Sequence, residues 1–158
     1  SRLAFITVNE SRLLNMKRIA STSLAILVLL YLSASLFMYN VQEKLIFRPN
    51  LKVKPIEQVF PEGQEYLLNT EDGETLKLWH RSGDPSKPTI LMFHGNSGNL
   101  STRRKFIKML SSDNHSFAIF SWRGYGDNTG SPSEQGLYLD ARAALDWLAV
   151  QGLHLRIF

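Results

Sequence analysis

The longest uniform feature of the chain is the apolar, uncharged run Ile19 to Tyr39, IASTSLAILVLLYLSASLFMY. It holds 21 residues, enough as a helix rising about 1.5 Å per residue to cross a hydrocarbon core of roughly 30 Å. A helix in the core of a soluble domain would carry a polar stripe, whereas this run carries only scattered Ser and Thr. Met16, Lys17 and Arg18 ahead of it, with Ser33-Ala34-Ser35 inside it, also fit a secretory signal. The continuation through Leu36 to Tyr39 favours an uncleaved anchor. Arg2, Arg12, Lys17 and Arg18 precede the run and Lys44, Arg48, Lys52 and Lys54 follow it, a balance that assigns no orientation. Met16 marks a candidate start, and residues 1–15 are given no function.

Past the span the pattern shortens. Pro49, Pro55 and Pro61 mark an extended link. Glu65 to Thr70 and Thr75 to Arg81 alternate in polarity around Glu71-Asp72-Gly73-Glu74, which predicts a β-hairpin. Thr89 to Phe93 and Ser116 to Trp122 are nearly unbroken apolar runs, the mark of strands buried on both faces. Between them a helix is expected, capped by Asn99 or Ser101, with Arg103, Arg104, Lys105 and Lys108 in water and Phe106, Ile107 and Leu110 inward. A second helix is expected from Ser131, Pro132 and Glu134 read as a capping box, with Leu137, Ala141, Ala144, Leu145 and Leu148 on its apolar face and Gly152 at its end. His154 to Phe158 reads as the opening of a further strand.

This order predicts an α/β fold: a hairpin, then β-α-β-α-β with right-handed crossovers and a parallel sheet. The expected division is a tail over 1–18, a transmembrane anchor over 19–39, a linker over 40–63 and the α/β domain over 64–158. Ligands of such sheets gather outside the carboxyl ends of the strands, here His94 to Asn99 and Arg123 to Gly130.

Composition narrows the chemistry. At 158 residues there is room for one modest domain, and the absence of cysteine removes disulfides, thiolate metal sites and cysteine nucleophiles. The net charge is +4, but most of it sits in the first 18 residues beside the apolar run, so no nucleic-acid partner is expected. No paired-histidine spacing appears, and the glycine-rich stretches lack the Lys and Ser or Thr of a phosphate loop. Neither a metal nor a cofactor is expected.

HGNSGN after one buried strand, RGYG after the next and the run GSPSEQGLYLDARAALDWL resemble the α/β-hydrolase superfamily, and within it serine hydrolases with an N-terminal membrane anchor. The likeness takes in EKLIFRP and TEDGETLKLW, so it extends from Gln42 to Phe158. It implies that the backbone N–H of Asn96 is an oxyanion-hole donor, supported by His94, Gly95, Ser97 and Gly98. It also implies that Arg123, Gly124, Tyr125 and Gly126 shape the pocket mouth or lock the turn. The implied reaction is hydrolysis of an ester, thioester or amide by nucleophilic acyl transfer.

The nucleophile elbow, G-x-S-x-G, belongs after the strand that His154 opens, so the nucleophile, acid and catalytic histidine of the resemblance are expected beyond Phe158. Gly95-Asn96-Ser97-Gly98-Asn99 fails the elbow pattern at its last position, and Ser97 reads as a loop residue. His94 reads as a strand-end histidine bonded to its loop rather than a proton carrier. Ser121-Trp122 stands where relatives often have Asp-Tyr, which leaves no carboxylate there. The implied partners are the lipid bilayer through Ile19 to Tyr39 and an acylated lipid or acyl-protein substrate, in a single-pass membrane protein of unassigned organelle and side. The alternatives are a non-catalytic membrane-tethered binding or scaffold protein, or a truncated gene product.

Overall fold

A proline marks where the first element must end. From Val41 to Ile46 the sequence offers only residues that a helix accepts, and the first proline is Pro49. In the computed structural model, which describes residues 2–153, helix α1 accordingly runs Arg2–Ile46, past the expected end of the span at Tyr39. Pro49 disfavours the helical conformation for the residue before it, and Arg48–Pro49 form a short strand, β1. Within this helix, Arg12–Ile46 is long and apolar enough to cross a membrane by length and composition, the one such stretch among the described residues. The chain divides into two compact units, Ser1–Gln42 and Glu43–Phe158.

The second unit continues with the short helix α2 (Ile56–Val59), strands β2 (Gln64–Asn69), β3 (Thr75–Arg81), β4 (Ile90–Phe93) and β5 (Ser97–Gly98), a 3₁₀ turn (Leu100–Arg103), helix α3 (Arg104–Ser112), strand β6 (Phe117–Phe120) and helix α4 (Glu134–Val150). The main sheet has the order β2-β3-β6-β4. β2 and β3 are the expected hairpin, β3 pairs antiparallel with β6, and β4 pairs parallel with β6. β1 and β5 form a separate parallel pair. The strand expected over His154 to Phe158 lies outside the described residues.

The sheet carries a core on each face because successive strand residues point to opposite sides. Phe117 and Ile119 join Trp79, Phe60, Leu100 and Ile107 on the α3 side. Ala118 and Phe120 join Leu68, Leu76, Leu78, Ala144 and Leu148 on the α4 side. Full burial of one large apolar side chain contributes about 1.5–3 kcal/mol, so these two layers are the principal stabilising term.

Three details differ from the sequence pattern. β6 is buried at all four positions, but β4 is only half-buried and Phe93 is 44% exposed, because among the described residues β4 has a neighbour on one edge alone. On α3 it is Ile107 and Leu110 that face the sheet, which turns Phe106 outward with Met109. α4 starts at Glu134 with Ser133 as its cap: the Ser133 hydroxyl accepts the Gly136 N–H at 3.1 Å, and Pro132 stays outside the helix.

Candidate active site

The loop after β4 begins with a histidine turned inward. His94 is 4% exposed, and its Nδ1 lies 2.7 Å from the carbonyl oxygen of Gly95. A carbonyl only accepts, so Nδ1 carries the proton and Nε2 is the acceptor. Nε2 receives the Ser121 hydroxyl at 3.2 Å and the Trp122 N–H at 3.4 Å. The Trp122 indole N–H in turn donates to the His94 carbonyl at 2.7 Å. The rings of Trp122 and Tyr125 pack edge-on against the imidazole, with centroids 6.2 and 5.2 Å away. Burial, reinforced by the Arg103 charge and opposed by the bond to Gly95, brings the His94 pKa down to about 4. The ring is therefore neutral near pH 7, with both nitrogens engaged.

These contacts pin two successive peptide planes. In a trans peptide the N–H points opposite the C=O. The Gly95 carbonyl faces His94, so the N–H of Asn96 points away from the imidazole. The Asn96 carbonyl accepts the Tyr125 hydroxyl at 2.8 Å and the Arg48 N–H at 2.9 Å, so the N–H of Ser97 points away from both. Among the hydrogen bonds of the described residues, neither of these two N–H groups is a donor, and both residues are exposed. Adjacent backbone donors, oriented and unspent, suit an oxygen that gains negative charge during a reaction.

The remainder of the loop is fixed from behind. The Asn96 side-chain amide donates to Ile46 O at 2.9 Å, and the Arg103 guanidinium donates to Ser97 O. Gly98 has φ of +84°, and a Cβ there would sit 2.5 Å from the Thr102 hydroxyl, so both conformation and space require glycine. Asn99 caps the 3₁₀ turn through Ser101 N–H, and its amide donates to Asn50 O and Lys52 O at 2.8 and 2.9 Å.

The second loop is locked by charge. Arg123 is 5% exposed: its backbone N–H and Nε donate to Asp140 at 2.9 and 2.8 Å, and its Nη1 and Nη2 donate to Asp72 at 2.7 and 3.0 Å. Asp72, in the hairpin turn, is held by this guanidinium and by Thr70 at a pKa of about 2. Gly124 N–H donates to Thr129 O and Gly126 N–H to Asn50 O, while Tyr125 is buried against His94. His94, Gly95, Asn96, Ser97 and Tyr125 thus converge on one bend, and Arg123 lies behind it in the interior.

The sequence pattern did not single out Arg48, Asn50, Asp72 or Asp140 as contributors, and it marked Ser121 only as standing where relatives often have a carboxylate. Asp140 had a readable signal: it falls four residues before Ala144 and four after Gly136, on the buried stripe of α4, where a carboxylate demands a buried partner. Arg48 and Asn50 act through main-chain groups and leave no side-chain signature. Among the described residues no three His, Asp or Glu side chains converge on a metal position.

No family model matches the chain. The uncharacterized protein Rv2307c of Mycobacterium tuberculosis is 39% identical to it over 131 residues, 80% of this chain and 46% of that protein. The lysophosphatidylserine lipase ABHD12 of Gallus gallus is 32% identical over 68% of this chain and 36% of its own length. The alpha/beta hydrolase domain-containing protein WAV2 of Arabidopsis thaliana is 36% identical over 68% of this chain and 38% of its own. The chain thus spans half or less of the length of these relatives. Among solved structures, the Pyrococcus furiosus esterase Pf2001 matches with a TM-score of 0.55 over 66% of this chain and 42% of that one, and its 21% identity speaks for the fold alone. By its mixed sheet, its helix order and these relatives, the chain belongs to the α/β-hydrolase superfamily.

Proposed function

We propose that the chain is the N-terminal portion of a membrane-anchored serine hydrolase that cleaves an ester, thioester or amide by nucleophilic acyl transfer. In this reading the N–H of Asn96 holds the oxyanion of the tetrahedral intermediate, with Ser97 beside it. The nucleophile, the acid and the catalytic histidine are supplied by residues after Phe158. His94 keeps the bend open by its bond to Gly95 and does not carry protons. Ile19 to Tyr39 anchors the protein in a bilayer. An acylated lipid or acyl-protein is the substrate class, supported by the anchor and by a relative that is a lysophosphatidylserine lipase.

The observation that carries this reading is the pair of pinned carbonyls, Gly95 O and Asn96 O, that leave the next two N–H groups directed outward and undonated. Such a donor is worth about 2.7–4 kcal/mol of transition-state stabilisation, because it is aimed before charge develops. Fluorophosphonate labelling of the protein expressed from the full coding region tests the reading. Covalent labelling at a serine in a G-x-S-x-G elbow downstream of Phe158 is the expected result. A folded protein that takes no label overturns it and indicates a membrane-tethered scaffold.

A further inference from the structure

The residues between the anchor helix and the α/β domain make an unusual set of bonds for a connector. Ile46 O accepts the Asn96 side-chain amide at 2.9 Å, and Arg48 N–H donates to Asn96 O at 2.9 Å. Asn50 N–H donates to Gly98 O at 3.2 Å, and Asn50 O accepts both the Asn99 amide at 2.8 Å and the Gly126 N–H at 3.0 Å. Lys52 O accepts the Asn99 amide at 2.9 Å. On the connector side every one of these groups is main chain. All of them reach the His94 to Asn99 bend or the Arg123 to Gly126 turn, and none reaches the hairpin.

The Asn96 carbonyl is the pivot. Its two lone pairs are filled, one by the Tyr125 hydroxyl from the domain and one by the Arg48 N–H from the connector. Whatever orients that carbonyl orients the Ser97 N–H, because the two share one rigid plane. The Asn96 side chain is tied to the last residue of α1 at the same time.

We propose that Ile46 to Lys52 is a positioning strap, so that the geometry of the oxyanion site depends on the segment by which the chain leaves its membrane helix. The inference rests on the reading of the bend as an oxyanion site and adds a part to it. The anchor is then not a detachable tether: the seven residues from Ile46 to Lys52 belong to the site, and a shift of their path re-aims the donors. A misplacement of about 1 Å is enough to cost about a hundredfold in rate.

Arg48→Pro tests this, because it deletes the one N–H that meets Asn96 O while keeping an extended backbone, and Arg48→Ala, which keeps that N–H, is its control. Two measurements are made: hydrogen exchange on the 158-residue chain, and kinetics with a short-chain ester on the protein from the full coding region. The strap predicts that Arg48→Pro lowers kcat by about tenfold or more with KM within about twofold, while Arg48→Ala stays near the wild-type rate. It also predicts faster exchange confined to residues 94–99, with the hairpin unchanged. A wild-type kcat in Arg48→Pro, or an equal loss in Arg48→Ala, overturns it. Should Arg48→Pro fail to fold, Asn50→Pro, which removes the N–H that meets Gly98 O, decides by the same criteria. A wild-type protein that takes no fluorophosphonate removes the hydrolase reading and the strap's catalytic role together. A labelled wild type with an indifferent Arg48→Pro removes the strap alone.

Discussion

Arg123 and Asp140 meet in the interior through two prongs: the Arg123 N–H donates to one carboxylate oxygen at 2.9 Å and its Nε to the other at 2.8 Å. The contact latches α4 to the turn that carries Tyr125, and through Tyr125 to the carbonyl of Asn96. Asp140 is fully buried, so loss of its partner or of its charge leaves an ion or a donor set without compensation.

Asp140→Ala is therefore expected to destabilise the fold by about 3–5 kcal/mol, read as a fall in the urea midpoint, since it leaves the guanidinium buried with half of its acceptors gone. Asp72→Asn should cost less, because Asp72 lies at the rim of the same cluster with its side chain 39% exposed. Equal losses would contradict the burial argument.

Gly136→Ala reverses a usual rule. In a helix interior alanine is favoured over glycine by about 0.5–1 kcal/mol. Here the added Cβ would sit 2.6 Å from Cδ of Arg123, whose guanidinium is fixed by two carboxylates and has no room to give. Overpacking of this kind costs about 1–3 kcal/mol, so thermal unfolding should show a lower melting temperature for the variant. A higher one would mean that Arg123 is free to move.

Acid should weaken the fold through His94. Its folded pKa, about 4, lies below the ordinary 6.5, so the unfolded chain takes up a proton first as pH falls. The stability is complete above about pH 6.5, declines between there and pH 4, and totals on the order of 3 kcal/mol. Asp72, depressed from 3.8 to about 2, adds a second loss in a lower window, as pH falls from 3.8 to about 2. His94→Gln should flatten the upper window and leave the lower one, as followed by urea unfolding at a series of pH values.

Ser121→Asp places a carboxylate where the hydroxyl now stands 3.2 Å from His94 Nε2. An anion at that distance favours the imidazolium, and the His94 pKa should rise above its present value of about 4. Titration of the imidazole resonances by NMR reads the shift directly. An unmoved pKa would mean that the Nε2 side of the ring is not where the new charge falls.

Much of the scaffold was legible because it rests on repeating apolar positions. Phe117 to Phe120 could be read from an unbroken apolar run, the Thr75 to Arg81 half of the hairpin from its alternation and the Ala144 and Leu148 stripe of α4 from helical spacing. That a loop follows β4 at His94 was legible as well; the role of Asn96 in it is what the resemblance implies. The interior contacts that aim it were not: periodicity reports which side chains are apolar, and it is silent about an Arg48 amide or an Ile46 carbonyl. Phe93 and Phe106 were misplaced for a related reason, since apolar character does not say which edge or face finds a neighbour.

The crystal structure of a phosphonate adduct of the protein from the full coding region tests the central claim most directly. The account predicts the phosphonyl oxygen about 2.7–3.1 Å from the backbone nitrogen of Asn96, with Gly95 O still on His94 and Asn96 O still on Tyr125 and Arg48. An adduct whose oxygen lies elsewhere, with the Asn96 N–H turned into the loop and bonded to a neighbouring carbonyl, would contradict it.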